Sequence, residues 1–164
     1  MIRPLTKAAF RPFGEVLEIE GAETRIINSG TCKRFHSLAA VDIHGENAKT
    51  IVSLFRAEPV RFPLHLLMME RHPLGSQAFW PLSGGEWLIA VASDHDGIPG
   101  TPQVFRATGR QGVCYTPNVW HHPLLALDAV ADFLVVDREG PGKNLEELSY
   151  RTPYAVQVIS EALR

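Results

Sequence analysis

The stretch Leu67–Gly84, LMMERHPLGSQAFWPLSG, carries more information about the fold than any other part of this 164-residue chain. An apolar segment leads into Glu70 and His72, and a second one begins at Gln77. Residues two apart on a strand point to the same face, so we expect Glu70 and His72 to share one. A tight turn at residues 73–75 would let Gln77 face them from the next strand. Three polar groups would then converge in the mouth of a β-barrel, a common place for a small-ligand site.

Short apolar segments continue on both sides of this stretch, and turn signals separate nearly all of them. They are Ile51–Phe55, Leu64–Met69, Gln77–Leu82, Trp87–Ala92, Val104–Ala107, Pro123–Leu127 and Phe133–Val136. Six or more short strands about ten residues apart favour an all-β sandwich or barrel over βαβ units. The segment Trp87–Ala92 is apolar on both faces, which predicts that a second sheet or a partner subunit covers it.

The two ends of the chain give weaker signals. Thr6 is a suitable N-cap for a short helix at Lys7–Phe10, and a strand is expected at residues 15–20. Asn144 is expected to cap a brief helix that runs through Glu147. Residues 155–159 are expected to form a terminal strand or helix that packs on the body of the protein.

Composition predicts one soluble domain that spans residues 1–164. The 16 Lys and Arg residues against 18 Asp and Glu give a net charge of −2, which excludes a polybasic nucleic-acid module. Since no apolar run approaches the roughly 18 residues of a membrane span, we expect no membrane association. Residues 1–10 lack the apolar region of a signal peptide, and Cys32 and Cys114 are expected to be free thiols, so a cytoplasmic location is predicted.

The polar residues of the first stretch have a spacing that resembles a known motif. The pattern E-x-H-x4-Q, followed by six residues and Gly84, resembles the first motif of the cupin superfamily, H-x-H-x3–4-E-x6-G. Glu70 stands in place of the first His of that motif, and Gln77 stands in place of its Glu. The resemblance implies an all-β fold, a cupin-like β-barrel or double-stranded β-helix with short peripheral helices.

A looser counterpart of the second cupin motif, P-x-G-x2-H, occurs at residues 115–121, YTPNVWH. Asn118 stands at the Gly position, where Asn is the residue next most tolerant of a left-handed backbone. His121 falls where the fourth inward ligand is expected. Carboxylate, imidazole and amide oxygen can together hold a divalent ion, so the candidate metal ligands are Glu70, His72, Gln77 and His121.

Longer strings are similar to those of the ureidoglycolate lyase family, formerly called ureidoglycolate hydrolase. They are ERHPLGSQAF (Glu70–Phe79), QGVCYTPNVWHHPLLAL (Gln111–Leu127) and DFLVVDR (Asp132–Arg138), with weaker matches at Ile27–Gly30, Arg34–His36 and Phe55–Ala57. The similarity extends from about Pro4 to Gly140. It implies a homodimer that converts (S)-ureidoglycolate to glyoxylate and urea in allantoin degradation, a part of purine catabolism. It also implies nickel as the metal cofactor and no organic cofactor.

The candidate residues suit that reaction. Ureidoglycolate is a carbinolamide, and its cleavage needs a base or a metal for the hydroxyl proton and an acid for the departing urea. An imidazole can do either near neutral pH, and a carboxylate beside it can orient it or act as the base. We therefore expect His121 and Glu70 to exchange the protons. His72 would be a further member of the catalytic set that, with Gln77, holds metal or substrate.

The substrate also has a carboxylate and a urea group to be held. Arg34 and Arg56 are candidates for the carboxylate, because a guanidinium can bind it with two hydrogen bonds. The amides of Gln77 and Asn28 could bind the urea or glyoxylate oxygens. The alternative is that both arginines are surface charges without a role in binding and that Gln77 is an ordinary hydrogen-bonded strand residue.

Other interpretations stay open from the sequence. A non-catalytic cupin-like module that binds a small carboxylate would not need the acid/base set. Another metal-dependent cupin enzyme, such as an isomerase or a dioxygenase, would favour more His ligands. Of the adjacent His121 and His122, at most one is expected to face the interior of a strand. The tryptophans at positions 80, 87 and 120 are expected to pack in the core or an interface.

Overall fold

A computed structural model describes residues 1–157 of the chain. It contains one short helix, α1 (Lys7–Phe10), and a 3₁₀ turn at Asn28–Gly30. The strands are β1 (Ile2–Pro4), β2 (Gly14–Leu17), β3 (Glu23–Ile27), β4 (Cys32–His36), β5 (Lys49–Ala57), β6 (Leu64–Arg71), β7 (Gln77–Pro81), β8 (Trp87–Ala92), β9 (Asp94–His95), β10 (Ile98–Pro99), β11 (Gln103–Ala107), β12 (Gly112–Tyr115), β13 (Trp120–His121), β14 (Leu125–Ala126), β15 (Ala131–Glu139) and β16 (Glu146–Val156). The all-β prediction is confirmed.

The strands curl into a half-barrel. The first sheet has the order β1-β11-β8-β13-β6-β16, with β14 also paired to β8. The second has the order β2-β12-β7-β15-β5, so that β5 is an edge strand. Two further ladders, β9–β10 and β3–β4, are separate from both large sheets.

Two apolar clusters bury both faces of β8. Trp87, Ile89 and Val91 point into the cluster that joins the two sheets, where they meet Phe79, Phe105 and Phe133 among others. Leu88, Ala90 and Ala92 point the other way, into a cluster with Leu66, Met69 and Trp120. The chain therefore covers both faces of this strand itself, and its apolar character is no evidence for a partner subunit.

The helix at the start of the chain forms as predicted. The Thr6 hydroxyl accepts a hydrogen bond from the backbone N–H of Ala9, and Phe10 is fully buried. Cys32 is exposed, Cys114 is buried, and both are free thiols, as expected. Among residues 1–157, no helix has the length and apolar character that a membrane crossing requires.

The helix expected after Asn144 is wrong. Residues 146–156 form β16, which pairs with β6, and Asn144 lies in the loop before it. The Asn144 side chain accepts a hydrogen bond from the backbone N–H of Leu74 instead of capping a helix. The predicted terminal strand or helix at residues 155–159 is a strand up to Val156, and its last two positions lie outside the described residues.

The turn at residues 73–75 connects two sheets rather than two neighbouring strands. β6 belongs to the first sheet and β7 to the second, so the chain crosses the half-barrel here. A Cβ atom at Gly75 would lie 2.8 Å from the Cβ of Arg138, so only glycine lets the crossover pass this close. As a result, Glu70 and Gln77 face each other from opposite walls.

Candidate active site

A cavity of about 420 Å³ lies between the two sheets and is lined by residues of both. The polar side chains that line it include Glu70, Gln77, His121 and His122. Its apolar wall contains Phe55, Phe79, Trp87, Leu88 and Leu124. The volume is in the range of about 300–1,000 Å³ that is usual for small-molecule sites, and the few polar groups among apolar side chains are typical of one.

The pairing of β13 with β6 places His121 directly opposite Glu70. The Nε2 atom of His121 lies 3.5 Å from the Oε1 atom of Glu70. Before β13, Asn118 adopts the left-handed backbone that its motif position predicts, with φ of 69°. The backbone N–H of Asn118 donates to the carbonyl of His72, which ties the two motif segments together.

His72 lies just beyond the end of β6, beside the same carboxylate. Its Nε2 atom is 3.9 Å from the Oε1 atom of Glu70. The rings of His72 and His121 are 5.3 Å apart between centroids. The structure thus brings together the three residues that the motif spacing singled out as the catalytic set.

Backbone carbonyls fix the proton positions on these two imidazoles. The Nδ1 atom of His121 is 2.9 Å from the carbonyl oxygen of Val119, and Nδ1 of His72 is 2.7 Å from that of Asn144. Because a carbonyl only accepts hydrogen bonds, Nδ1 is the donor in each ring. In the neutral form of each ring the lone pair is therefore on Nε2, and both Nε2 atoms are buried and have no hydrogen-bond partner within residues 1–157.

The local environment keeps Glu70 ionised and His72 neutral. Burial raises the pKa of Glu70, but the hydrogen bond and positive charge that the imidazoles of His121 and His72 supply when protonated outweigh it and hold that pKa below its ordinary value. Burial lowers the pKa of His72, and its bond to the Asn144 carbonyl only partly offsets this. The pair is therefore a carboxylate beside a neutral imidazole, which is a set of bases or ligands rather than a simple ion pair.

Glu70, His72 and His121 are also suited to hold a metal ion. One ligand atom from each residue lies within 4.8 Å of the others. The two Nε2 lone pairs have no partner in the described chain, and each Nδ1 donates to a carbonyl, as is usual for histidines that bind metals. Gln77, the fourth predicted ligand, lines the same cavity, and its Oε1 atom is buried without a hydrogen-bond partner in the described chain.

The second sheet supplies two residues that the sequence did not single out. The Tyr115 ring stacks on His121, with centroids 4.3 Å apart and an angle of 14° between the planes, so it fixes the orientation of the imidazole. Asp137 lies beside Gln77. Burial raises the pKa of Asp137, and hydrogen bonding by the Gln77 side chain partly offsets that rise.

His122 lines the cavity together with His121, so the expectation that only one of them faces the interior is wrong. β13 ends at His121, and the alternation of a strand therefore no longer applies at the next residue. The Nδ1 atom of His122 is 2.9 Å from the Pro123 carbonyl, which again leaves Nε2 as the free atom. Burial lowers the pKa of His122.

The predicted substrate-binding residues fall into two groups. Arg56 lines the cavity, and its guanidinium donates to both carboxylate oxygens of Asp132, at 2.7 and 2.9 Å. Arg34 and Asn28 belong to the separate β3–β4 hairpin and do not line this cavity. Within a single chain these two residues therefore do not reach the cavity, because their hairpin pairs with neither large sheet.

A half-barrel of β-strands whose interior presents a carboxylate and imidazoles from two separated motifs defines a cupin-like protein with a small-ligand site. A family profile described as "Ureidoglycolate lyase" matches residues 1–157. The chain belongs to the ureidoglycolate lyase family. The prediction of this family, and of an enzyme of its type, is confirmed.

Curated relatives are similar in sequence to this chain along nearly their whole length. A "Ureidoglycolate lyase" of Rhizobium etli is 57% identical over 156 residues, which cover 95% of this chain and 94% of the relative. "Ureidoglycolate lyase 1" of Rhizobium meliloti is 54% identical over 164 residues, with 99% and 96% covered. A "Ureidoglycolate lyase" of Brucella anthropi is 52% identical over 163 residues, again with 99% and 96% covered.

Proposed function

We propose that this chain cleaves (S)-ureidoglycolate to glyoxylate and urea, as a step of allantoin degradation in purine catabolism. Family membership and the names of the curated relatives support the substrate. The observation that carries the proposal is the position of the Glu70 carboxylate between the Nε2 atoms of His121 and His72. These three side chains together can accept a proton and return it within one cavity, which the cleavage of a carbinolamide requires.

The reaction needs one proton to move and no water. The substrate hydroxyl loses its proton to the Nε2 lone pair of His121, and the C–O bond becomes the carbonyl of glyoxylate. The electron pair of the C–N bond goes to the urea nitrogen as that bond breaks. The imidazolium of His121, stabilised by Glu70, then delivers the proton to this nitrogen. Atoms and charge balance, since the proton taken from oxygen is the one given to nitrogen.

Other residues hold the substrate in this scheme. Gln77 faces the carboxylate from the opposite wall, and its buried amide is suited to the polar urea group. Stacking on Tyr115 fixes the plane of the His121 ring, which keeps its Nε2 atom directed toward the substrate hydroxyl. Within a single chain, the guanidinium at the cavity wall is that of Arg56. It is suited to bind the substrate carboxylate if it releases Asp132.

A divalent ion is the alternative within the proposal, with nickel suggested by the family resemblance, and where it is bound His121 serves as a ligand and does not carry the proton. Glu70, His72 and His121 would hold it, with the Gln77 amide nearby. A bound ion would polarise the hydroxyl and favour loss of its proton. Ion binding and proton transfer compete for the same lone pair on His121, so activity before and after chelation distinguishes a metal ligand from a proton carrier.

We further propose that the protein is a homodimer of single-domain chains in the cytoplasm. The free thiols of Cys32 and Cys114 suit a reducing compartment. An exposed apolar patch on β5, which includes Val52 and Leu54, suits contact with a second chain.

Product identification tests the function. The purified protein is incubated with (S)-ureidoglycolate, glyoxylate is measured by its colorimetric hydrazone, and the nitrogen product is measured with and without urease. We expect glyoxylate, and ammonia only after urease is added. Ammonia without urease would show a hydrolase that releases ammonia and carbon dioxide. Substrate binding without glyoxylate would support the binding module instead.

A further inference from the structure

The β3–β4 hairpin lacks the contacts that would hold it in place within its own chain. Its strands pair only with each other, and neither large sheet extends to them. All five residues of β3 are exposed, including Ile26 and Ile27. Because an isolated two-stranded hairpin is marginally stable in water, this segment needs a further surface to pack against.

The hairpin has one cationic face. Arg25 and Arg34 are direct cross-strand partners, an arrangement in which like charges repel. Arg25 is neutralised by Glu23, 2.6 Å away. Arg34 is exposed and has no ion pair or hydrogen bond to any of residues 1–157. The structure thus presents an unneutralised guanidinium on a projecting segment.

The tip of the hairpin has a strained backbone. Asn28 and Ser29 have positive φ angles of 53° and 54°, and Gly30 follows with 91°. Non-glycine residues keep such angles only where their surroundings impose them. Yet nothing lies within 4 Å of a Cβ built at Gly30, and the Asn28 side chain has no hydrogen bond within the described part of the chain. The turn itself supplies the contacts that hold this shape, since the Asn28 carbonyl accepts hydrogen bonds from the N–H and the hydroxyl of Thr31, and the Asn28 amide is displayed at the tip.

The part of the cavity that the structure describes lacks a free cationic side chain, and this hairpin has one. Ureidoglycolate carries a carboxylate, and the residues that line the cavity include the carboxyl side chain of Glu70. Among the described residues that line the cavity, the one guanidinium is that of Arg56, and Asp132 already binds it. An anionic substrate therefore meets no free cation from its own chain.

An exposed apolar patch leads to the cavity mouth. Val52 and Leu54 of the edge strand β5 are 65% and 70% exposed. They lie beside Val136 and Leu134 of β15, which are half-buried. The same strand ends with residues 55–57, which line the cavity. A long apolar edge strand is a surface where another chain docks, and here such docking would reach the site.

We propose that two copies of this chain pack through the exposed face of β5, and that the hairpin of each copy completes the cavity of the other. Arg34 from the partner copy binds the substrate carboxylate together with Arg56 of the cavity wall, and Asn28 at the hairpin tip binds the urea group. This inference rests on the proposed function for the identity of the ligand. The partner is a second copy of this chain because each chain has both complementary features. One is the free guanidinium of the hairpin, and the other is a cavity for an anionic substrate that has no free guanidinium of its own.

Paired heterodimers give the decisive test. Two differently tagged chains are co-expressed and purified by both tags, one carrying Arg34→Ala and the other His121→Ala. Each variant homodimer should release glyoxylate at a few per cent of the wild-type rate or less. The heterodimer has one cavity with intact His121 and an intact partner hairpin, so we expect about half of the wild-type rate. A heterodimer as inactive as its parents would overturn the proposal.

The reverse pairing is the matched control. One chain carries both Arg34→Ala and His121→Ala, and the other is wild type. If the hairpin acts on the partner copy, neither cavity is complete and activity stays at a few per cent. If it acts on its own chain, one cavity is intact and about half of the activity remains, which would overturn the proposal. Glu70→Gln replaces His121→Ala in both experiments if the latter does not fold.

A second measurement does not depend on activity. A cysteine is introduced as Ala57→Cys at the cavity wall, and a short bismaleimide links it to the exposed Cys32 of the hairpin. We expect a covalent dimer on a denaturing gel and a dimer in sedimentation, with Leu54→Asp abolishing both. A monomeric wild type, a link confined to one chain, or no link would overturn the inference. If the dimer links but releases no glyoxylate, the proposed reaction fails while the shared cavity stands.

Discussion

Glu70 and His121 are direct cross-strand partners in the β6–β13 pair, and their facing side-chain atoms are 3.5 Å apart. The pairing register of the first sheet therefore sets the central distance of the site. A slip of one residue would turn either side chain to the other face of its strand. The next residue on the Glu70 face, His72, joins them from just beyond the strand end.

Glu70→Gln keeps the shape of the side chain and removes its charge. Because the carboxylate stabilises the His121 imidazolium, we expect kcat to fall roughly 100- to 10,000-fold while the thermal unfolding curve stays close to wild type. Glyoxylate release measures the loss. Glu46→Gln, at an exposed position away from the cavity, is the control and should leave the rate unchanged. Full activity of the Glu70 variant would remove this residue from the mechanism.

His72→Ala should weaken the binding of a divalent ion. The protein is loaded with Ni²⁺, passed through a desalting column and analysed for bound metal by mass spectrometry. Since residues that only hydrogen-bond to metal ligands already contribute about 10- to 100-fold to metal affinity, we expect at least a tenfold loss on removal of a ligand itself. His65→Ala, at an exposed position of β6, the strand that precedes His72, is the control. Equal metal content in both variants would contradict the ligand set.

Arg56 and Asp132 should change substrate affinity in opposite directions. Asp132→Asn frees the guanidinium, and because an exposed ion pair is a weak competitor, KM should fall roughly two- to fivefold. Arg56→Ala should raise KM roughly tenfold, the size expected for a lost hydrogen bond to a charged group. Steady-state kinetics with ureidoglycolate measure both. Parallel changes in the two variants would exclude Arg56 as a substrate ligand.

The pH profile should have its acid limb below the ordinary imidazole value. Burial lowers the pKa of His72 and that of His122, and the pKa of Glu70 is also below its ordinary value. All three groups are therefore unprotonated at neutral pH and take up protons only in more acidic solution. We expect kcat/KM to be level near pH 7 and to fall below about pH 6.5. An acid limb above that value that moves on His72→Ala or His122→Ala would contradict these assignments, because it would show that one of these two groups takes up its proton above the ordinary imidazole value.

The aromatic packing between the sheets should dominate stability. Phe105 is fully buried and packs edge-on against Phe10, so Phe105→Ala should cost about 3–5 kcal/mol of unfolding free energy. Urea denaturation measures the change. Ile98→Ala, at an exposed position on β10, should stay within about 0.5 kcal/mol of wild type. Similar costs for both would show that this cluster is not the main core.

Local signals predicted the strands and the centre of the site. Turn residues between short apolar segments marked β5, β6, β7, β8, β11 and β15, and Thr6 marked the start of the helix. Motif spacing selected Glu70, His72 and His121, because strand alternation and one left-handed turn at Asn118 are local properties. These features need only a few neighbouring residues to be specified.

Long-range partners could not be predicted in the same way. The Asn144 carbonyl binds His72 from 72 residues away, and nothing near either residue in the sequence shows that contact. Similarly, the turn after β6 predicts that Gln77 lies on the next strand, but β6 and β7 belong to different sheets. A tight turn specifies where the chain bends and not which strand pairs next. The position of His122 depended on where β13 stops, which local propensity does not fix.

Three imidazoles of the site donate from Nδ1 to main-chain carbonyls, those of Val119, Pro123 and Asn144. Every amino acid supplies such a carbonyl, so substitutions at these three positions leave the acceptors in place as long as the loops keep their path. Single substitutions in the supporting loops are therefore tolerated, whereas an insertion or deletion in either loop would move the acceptor oxygens that this loop supplies.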